Sequence, residues 1–524
     1  MSGFWAALRH RLTAILAGFR PGPVEDANAQ VALVRPFPWE RSYPQGLSWD
    51  ADIPIRPVTD ILDDAVRTWP KRPCLEFLGK RYTYAEVGAL VAKAAKGFQD
   101  LGLKKGDRVG LILPNSAYYV ICHYAVLKAG GVVVNFNPLY AQPEIARQIR
   151  DSGTRIMVTL NLGTIYPKVS RQLNDTDLEK IVVCGMGQAL SFTKRALFAL
   201  FKRREVTSTP NDGAHVRFSK LLANDGKPRP VEIDPIRDLA VLQYTGGTTG
   251  VPKGAMLTHA NLSANAAQTL MWVPGLVPGE ERILGVLPMF HVFGMTGVMN
   301  VGLSCGAEIL LLPHFKVTEA LSTIDSEKPT VLMGVPTMYS AINGFRERDK
   351  YDLSSLKFCV SGGAPLPMTI KSKFEEVTGC SLVEGYGLSE AGPVCTINPF
   401  ETASRENAAG LPLPGTTIEI VSLENPDQAV PLGEVGEVCV RGPQVMAGYW
   451  HQDEETAQVL SDGRLRTGDG GFDHCGMLQD LFLDHARINV EAAGNNQVLD
   501  PVDQKDEAVL VHIAHIASAQ TPIR

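Results

Sequence analysis

A glycine-rich stretch from Tyr244 to Leu262, YTGGTTGVPKGAMLTHANL, limits the fold and the chemistry of this sequence more strongly than any other segment. A strand is predicted directly before it, at Ala240 to Gln243, and the stretch ends in a helix start. Its glycines leave backbone N–H groups free to approach a polyanion, and the threonine hydroxyls and Lys253 add further donors. The stretch therefore predicts a phosphate-binding loop between a strand and a helix.

This loop is not a Walker A motif, because no glycine in it is followed at the required spacing by Gly-Lys-Ser/Thr. On its N-terminal side, apolar strands alternate with helices, which predicts parallel sheets covered by helices. The predicted helices cover residues 58–69, 84–100 and 117–129, and the predicted strands cover residues 74–78, 81–83, 109–113, 132–135, 156–159 and 181–184. A chain of 524 residues is long enough for about two to four structural units.

Composition excludes several classes of function. The net charge is −6 and the pI is near 6.0, whereas a nucleic-acid-binding protein normally needs a basic face, so no nucleic-acid partner is expected. Nine cysteines without a CxxC pair indicate buried free thiols in a reduced, cytoplasmic compartment rather than a zinc site. The longest apolar runs fall far short of the roughly 20 residues that span a bilayer.

Two segments combine apolar residues at helical spacing with basic ones. Residues 1–22 interleave Arg9, Arg11 and Arg20 with an apolar stripe, and residues 191–205, SFTKRALFALFKRRE, repeat the pattern. One interpretation is an interfacial helix on anionic lipid, which would give peripheral contact with the inner face of the cell membrane. The other is a helix that packs on the protein's own body or faces solvent. The sequence leaves both open.

Four further motifs follow the loop. They are PMFHVFG at 288–294, VSGGAPL at 360–366, GYGLSEAGPV at 385–394 and LRTGD at 465–469. Together with the loop, and in this order, they resemble the signature of the adenylate-forming superfamily, which includes acyl-CoA synthetases, peptide-synthetase adenylation domains and luciferases. The phrase NFNPLY at 135–140 is similar to bacterial long-chain fatty-acid:CoA ligases in particular. The resemblance covers residues 58–469.

The resemblance implies that a fatty acid attacks the α-phosphate of ATP to form an acyl-adenylate, from which CoA takes the acyl group. Because two anions must meet, the protein has to neutralise charge and align the groups. Lys253 and the loop amides would bind the β- and γ-phosphates, and Ser389 the α-phosphate. Thr245 and Glu390 would bind Mg²⁺, which prefers hard oxygen ligands. His291 either borders the acyl carboxylate, as a further catalytic residue, or is a hydrogen-bonded core histidine.

The adenosine half of ATP would lie beyond these phosphates. The resemblance places adenine against residues 362–365, with Tyr386 stacked on the ring, and makes Asp469 the acceptor for both ribose hydroxyls. The full implied nucleotide-binding set is Tyr244, Thr245, Gly246, Gly247, Thr248, Thr249, Gly250, Lys253, Gly362, Gly363, Ala364, Pro365, Gly385, Tyr386, Gly387, Ser389 and Asp469.

The implied fold class is α/β: a large adenylate-forming domain of two α/β subdomains plus a small β-barrel-like subdomain. Short strands of period two at 415–442 fit that small subdomain. The apolar stretch Phe290 to Leu303 is either a wall of a fatty-acid tunnel or an ordinary buried helix. Trp272 is a further candidate for a tunnel wall or gate.

Past Asp469 the resemblance ends. The family continues with a hinge and a lid of roughly 100 residues, whereas 524 − 469 = 55 residues follow here. The only lysine after Lys373 is Lys505, whose surroundings do not match the catalytic lysine of the lid. We therefore expect an adenylating domain at 35–473 and an atypical tail at 474–524 in place of the lid, which would impair activity unless another chain supplies the lid.

Two other functions remain open at this point. One is a non-catalytic protein that binds acyl or adenylate ligands through the large domain alone. The other is an adenylating enzyme for another carboxylic acid, such as an aryl acid or an amino acid. The sequence does not predict an oligomeric state.

Overall fold

The computed structural model describes residues 35–191, 194, 195, 198, 205–245, 252–401, 408–431, 434–474 and 477–480. The helix predicted at residues 1–22, most of the basic segment after Ser191 and the tail beyond residue 480 lie outside the described residues. The chain divides into two units, residues 1–37 and residues 38–524, and every strand and helix that the structure describes belongs to the second.

Strands and helices alternate through the first two thirds of the described chain, and strands dominate afterwards. The strands are β1 Pro73–Phe77, β2 Lys80–Thr83, β3 Arg108–Ile112, β4 Val132–Asn135, β5 Ile156–Leu160, β6 Lys180–Cys184, β7 His215–Arg217, β8 Leu239–Thr245, β9 Lys253–Thr258, β10 Arg282–Gly285, β11 Glu308–Leu311, β12 Val331–Gly334, β13 Phe358–Ser361, β14 Ser381–Gly387, β15 Val394–Ile397, β16 Ala408–Pro412, β17 Thr417–Val421, β18 Val435–Arg441, β19 Leu460–Ser461, β20 Arg464–His474 and β21 Met477–Asp480. The α-helices are α1 Thr59–Thr68, α2 Tyr84–Asp100, α3 Ala117–Lys128, α4 Gln142–Ser152, α5 Tyr166–Ser170, α6 Gln172–Asp175, α7 Met186–Ala189, α8 Phe218–Leu221, α9 His259–Trp272, α10 Val301–Ser304, α11 Val317–Glu327, α12 Pro336–Gly344, α13 Met368–Thr378 and α14 Asp453–Val459. A π-helical segment, Phe293–Asn300, precedes α10, and 3₁₀ turns occur at Pro38–Ser42, Arg348–Lys350 and Ser389–Ala391.

The smaller sheet carries the glycine-rich loop. Its strand order is β7-β6-β5-β3-β4-β8-β9, and all neighbours are parallel except β8 and β9. Phe136, Met157 and Leu242 are fully buried in its core cluster. The antiparallel pair β8 and β9 forms one edge of the sheet, and the loop joins these two strands.

The larger sheet carries the other motifs. Its order is β17-β18-β20-β21-β16-β15-β14-β13-β12-β10-β11-β1-β2, with β19 paired to β20. Within this sheet the run β1-β11-β10-β12-β13-β14 pairs in parallel. The strand β2 at one edge, and the strands from β15 onward beyond β14, pair antiparallel. The carboxyl ends of β13 and β14 lie side by side, which is where open α/β sheets bind ligands.

These sheets confirm the predicted α/β class, with helices between parallel strands in both. The short strands predicted at 415–442 are present as β17 and β18, paired antiparallel. They are joined through β20, β21 and β16 to the larger sheet, so the small subdomain extends that sheet.

Local sequence explains the best-predicted helices. Helix α2 begins at a capping box in which the Thr83 side chain accepts from the Glu86 N–H and the Glu86 carboxylate accepts from the Thr83 N–H. In α3, residues 117–127 are all buried, so the helix is apolar on every side and lies within the core.

The described cysteines, eight of the nine, are free and buried, as their spacing predicted. No described helix has the length and apolar content needed to span a membrane.

Candidate functional site

The two ends of the glycine-rich loop lie opposite each other. Thr245 at the end of β8 pairs with Lys253 at the start of β9, and Tyr244 pairs with Gly254. A Cβ added at Gly254 would lie 3.2 Å from the Tyr244 ring and 3.4 Å from Trp450, so a side chain at this position would be crowded. The loop residues predicted to bind phosphate, Gly246, Gly247, Thr248, Thr249 and Gly250, lie outside the described residues.

Four side chains from three parts of the chain form what we call the charge cluster: Thr245, Lys253, Glu390 and Tyr449. The Tyr449 hydroxyl donates to Glu390 Oε1 at 2.9 Å, and the Lys253 Nζ lies 5.2 Å from the centroid of the Tyr449 ring. The Thr245 side chain lies close enough to Glu390 to lower the pKa of that carboxyl group. The structure therefore brings together the three predicted residues and adds Tyr449.

Burial decides the electrostatics of this cluster. Glu390 is 6% exposed, and desolvation raises its pKa above the usual range, while the Tyr449 hydrogen bond, the charge of Lys253 and the nearby Thr245 side chain oppose that rise. Burial and the Glu390 carboxylate raise the pKa of Tyr449, so the phenol stays protonated and acts as a donor. The predicted residue Ser389 is half-buried and precedes Glu390 in the same 3₁₀ turn.

The predicted motifs do not include Tyr449. It belongs to the tripeptide Gly448-Tyr449-Trp450, which lies between the motifs ending at 394 and beginning at 465. Tyr449 forms an isolated β-bridge with Ala255, and the Trp450 N–H donates to the Gly254 carbonyl at 2.8 Å. A glycine followed by two aromatic residues was the available signal, but only pairing with β9 shows that they reach the site.

Buried side chains of α9 hold the segment around Glu390 in place. Asn265 Nδ2 donates to the Val394 carbonyl at 2.7 Å, and the Val394 N–H donates to Asn265 Oδ1 at 3.0 Å. One turn earlier, Asn261 Nδ2 donates to the carbonyls of Pro443 and Val445 at 2.8 and 2.7 Å. Next to Val445, the Met446 N–H donates to the Glu390 carbonyl. Helix α9, which follows the loop, thus fixes the backbone on both sides of the charge cluster.

Replacing Asn265 by Ala is expected to destabilise the protein by about 2 to 5 kcal/mol, because both polar groups of Val394 would be left buried without partners. Chemical denaturation of purified protein measures this loss. Asn425→Ala in an exposed turn is the matched control, since its Oδ1 accepts only at the surface. Equal effects of the two substitutions would contradict the clamping role of α9.

Tyr386 and Asp469 belong to different motifs and lie 83 residues apart in the sequence, but they are also in contact. The Tyr386 hydroxyl donates to Asp469 Oδ2 at 2.9 Å. Asp469 is 8% exposed, and burial raises its pKa to about 6, with the Tyr386 hydrogen bond opposing this rise and the charges of Glu390 and Glu437 adding to it. Asp469 is therefore a buried acceptor whose charge changes just below neutral pH.

The glycines of the 360–366 and 385–394 motifs permit close approach of the backbone. A Cβ at Gly362 would lie 3.1 Å from the Phe293 ring and 3.4 Å from the Gly385 carbonyl. A Cβ at Gly387 would lie 2.0 Å from the Pro393 carbonyl, so no side chain fits there. Gly363 has a φ of +78°, which favours glycine. Ala364 and Pro365, which follow it, are half-buried. Three motifs therefore meet at Phe293, Gly362 and Gly385.

His291 and the apolar stretch lie beside this junction. The Phe293 N–H donates to His291 Nδ1 at 3.4 Å, and burial lowers the pKa of His291 to about 4, so the ring is neutral at pH 7. Among the described residues, its ring makes no hydrogen bond to the charge cluster. The stretch continues as the π-helical segment Phe293–Asn300, in which Thr296 Oγ1 donates to the Gly392 carbonyl at 2.6 Å.

Trp272 occupies a structural position. It is fully buried at the end of α9, its Nε1 donates to the Asn398 carbonyl at 3.3 Å, and its ring packs edge-on to Tyr43 at 5.2 Å. These contacts fix the ring within the core, so its proposed role as a tunnel gate gains no support from them.

Comparisons with known proteins agree with this geometry. The chain is 41% identical to a long-chain-fatty-acid–CoA ligase of Bacillus subtilis over 438 residues, which is 83% of this chain and 78% of that protein. It is 34% identical to the enzyme of the same name from Escherichia coli O6:H1 over 445 residues, 82% of this chain and 77% of that one. A crystal structure of the anthranilate CoA ligase AuaEII with anthranoyl-AMP superposes with a TM-score of 0.73 at 26% identity, covering 82% of this chain and 79% of that one.

The match to a family is equally extensive. Residues 62–450 match the family described as AMP-binding enzyme, and this range includes four of the five motifs and the whole charge cluster. With this match over most of its length, the chain belongs to the AMP-binding enzyme family.

Proposed function

We propose that this chain is an ATP-dependent fatty-acid:CoA ligase that makes an acyl-adenylate and then acyl-CoA, releasing pyrophosphate and AMP. The observation that carries the proposal is the charge cluster, in which a lysine, a buried carboxylate and a hydroxyl converge at the ends of the glycine-rich loop. The names of relatives at 34% and 41% identity support a long-chain fatty acid as the substrate.

In this proposal the adenosine half of ATP binds at the junction of motifs. Adenine lies against residues 362–365 beside Tyr386, where the glycines permit close approach. Asp469 accepts the ribose hydroxyls, and the Tyr386 hydroxyl orients its carboxylate. Ser389 contacts the α-phosphate, next to Glu390.

The residues present fit a magnesium ion. Mg²⁺ is usually held by one or two carboxylates, with water and substrate phosphates at its other positions. No group of three or more His, Cys, Asp or Glu suited to a metal occurs among the described residues. Glu390 and Thr245 supply two adjacent hard oxygen donors, as such a shared site requires. When bound, Mg²⁺ neutralises charge on the phosphate oxygens.

The protein residues lower the barrier by placing charge where the pyrophosphate departs. Lys253 offsets the negative charge of the β- and γ-phosphates, which allows the fatty-acid carboxylate to approach the α-phosphate in line. His291 stays neutral near pH 7 and its Nδ1 accepts from the Phe293 N–H, so it borders the acyl site without carrying charge. No side chain has to act as a nucleophile, since the substrate carboxylate attacks.

The identity of the acid is tested by exchange of labelled pyrophosphate into ATP. Palmitate should support exchange far better than benzoate, anthranilate or a panel of amino acids. The apolar, buried stretch from Gly294 to Leu303 supports a lipid tail. Preference for an aryl or amino acid would instead favour the alternative of an adenylating enzyme for another carboxylic acid. The similarity to the anthranilate CoA ligase, at 26% identity, is the observation that supports this alternative.

We further propose that residues 35–473 form the adenylating domain and that residues 474–524 are an atypical tail. The family match over residues 62–450 supports the assignment of the adenylating domain. The absence of a lysine between Lys373 and Lys505 supports the assignment of the tail as atypical. A protein that binds ATP and palmitate without exchanging pyrophosphate would be the non-catalytic alternative.

Peripheral membrane contact is proposed for the basic amphipathic segment at residues 1–22, on the cytoplasmic face. Its interleaved arginines support attraction to anionic lipid. Sedimentation with phosphatidylglycerol vesicles, with and without residues 1–22, tests this proposal. Unchanged binding of the shortened chain would dismiss it.

A further inference from the structure

Tyr449 contacts both charged members of the cluster in different ways. Its hydroxyl donates to Glu390 Oε1 at 2.9 Å, while its ring lies beneath the Lys253 ammonium at 5.2 Å from the centroid. The first contact has the distance of a charge-assisted hydrogen bond, and the second has the distance of a cation–π interaction. A single side chain thus lies between a cation and an anion that both face the bound phosphates in the proposed function.

The backbone fixes this ring relative to both partners. Tyr449 bridges Ala255, two residues after Lys253 on the same strand. Its N–H donates to Thr456 Oγ1 at 2.9 Å, and the Met446 N–H donates to the Glu390 carbonyl at 2.8 Å. The position of the ring therefore does not depend on the loop residues between Thr245 and Lys253.

The ring has a further electrostatic effect. Lys253 and Glu390 are close enough for Lys253 to lower the pKa of Glu390, yet among the described side chains Lys253 has no carboxylate within 4.0 Å. In a partly buried site an oppositely charged pair would otherwise close, since their attraction is strong at low dielectric. A closed pair would occupy the same two groups that the proposed function assigns to phosphate and Mg²⁺.

We propose that Tyr449 is a positioning residue that holds Lys253 and Glu390 apart, with its ring against the ammonium and its hydroxyl on the carboxylate, so that both remain available to the nucleotide. This inference rests on the proposed function of the charge cluster. The hydroxyl acts through Glu390, so it should affect the part of nucleotide binding that depends on Mg²⁺. The ring acts through Lys253, so it should affect the part that does not depend on Mg²⁺.

Two substitutions separate these parts. Tyr449→Phe keeps the ring and removes the hydroxyl, so the gain in affinity for fluorescent mant-ATP on adding MgCl₂ should fall about tenfold. Its affinity in EDTA should equal that of the wild type. Tyr449→Leu removes both contacts, so Lys253 and Glu390 can pair, and affinity in EDTA should also fall roughly fivefold.

The control and a combined variant sharpen the test. Tyr118→Phe removes a hydroxyl that donates to the Gly185 carbonyl at 3.0 Å, away from the cluster, and should leave both affinities unchanged. The variant combining Tyr449→Phe with Glu390→Gln should lose no more of the Mg²⁺ gain than Glu390→Gln alone, because the hydroxyl acts through Glu390. Additive losses would overturn the inference.

Other outcomes are equally decisive. A folded Tyr449→Phe protein with the wild-type gain on adding MgCl₂ overturns the inference, even if the ligase reaction proceeds. Wild-type protein that binds mant-ATP with the predicted dependence on Tyr449 but makes no acyl-CoA supports the inference and refutes the ligase function. Wild-type protein that binds no mant-ATP overturns both.

Discussion

Replacing Glu390 by Gln is expected to lower the rate of acyl-adenylate formation on the order of a hundredfold to a thousandfold. Glutamine keeps the shape of the side chain and an oxygen that accepts from the Tyr449 hydroxyl, so the hydrogen bond of 2.9 Å can persist. What is lost is the negative charge to which the proposed function assigns Mg²⁺, beside Thr245. Pyrophosphate release with saturating palmitate, measured across MgCl₂ concentrations, should show a higher Mg²⁺ requirement as well as a lower rate.

Glu281→Gln is the matched control for this substitution. Glu281 is 1% exposed and accepts from the Val277 N–H at 2.9 Å, so it is as deeply buried as Glu390 but hydrogen-bonds no motif residue. Its substitution can change stability but should leave the Mg²⁺ requirement unchanged. A Glu390→Gln protein with wild-type rate and Mg²⁺ dependence would contradict the assignment of Glu390 to the metal.

Replacing Asp469 by Asn is expected to weaken ATP binding by about tenfold to a hundredfold, because the charged acceptor that we propose for two ribose hydroxyls becomes a neutral one. The substitution should also remove a pH dependence. In the wild type the Asp469 pKa lies at about 6, so its charge is lost as the pH falls through 6. ATP affinity should then fall about tenfold between pH 7 and pH 5 in the wild type and much less in Asp469→Asn.

The Asp469→Asn substitution should raise the stability of the protein, whereas it should lower the affinity for ATP. The Asp469 pKa is raised from 3.8 in the unfolded state to about 6 in the folded state, so the protonated carboxyl group favours folding. This stabilisation is complete at a pH below 3.8 and is lost as the pH rises through 6. At pH 7.5 the Asn variant should therefore be more stable than the wild type, by up to about 3 kcal/mol. Asp427→Asn, at a side chain 91% exposed, is the control. Lower stability of Asp469→Asn at this pH, with unchanged ATP affinity, would contradict both the burial argument and the ribose assignment.

Local patterns predicted much of the fold. The bounds of α2 were predicted correctly because a capping box starts this helix, and the predicted strand at 132–135 coincides with β4 because its residues are apolar and β-branched. The motifs at 360–366 and 385–394 follow β13 and β14, adjacent parallel strands whose carboxyl ends coincide. The α/β class and the contact between motifs were therefore available from sequence spacing together with the resemblance.

Long-range pairing explains what the sequence could not predict. Tyr449 reaches Glu390, 59 residues away, only because β9 pairs with the segment around residue 449. The polar side chains of α9 look like an ordinary surface pattern, yet Asn265 is fully buried against Val394. The π-helical segment Phe293–Asn300 likewise makes a long-range contact, the hydrogen bond from Thr296 to Gly392, which its own sequence does not predict. Nucleotide contacts of the individual site residues stay predictions.

The central claim is that this chain joins a fatty acid to CoA through an acyl-adenylate. The most direct test incubates the purified full chain with palmitate, ATP, MgCl₂ and CoA, and follows palmitoyl-CoA and AMP by mass spectrometry. We expect palmitoyl-CoA and AMP in equal amounts, both formed on the order of a hundredfold to a thousandfold more slowly by Glu390→Gln and at the wild-type rate by Glu281→Gln. ATP binding without AMP or palmitoyl-CoA, under conditions in which the wild-type protein is folded, would contradict the claim.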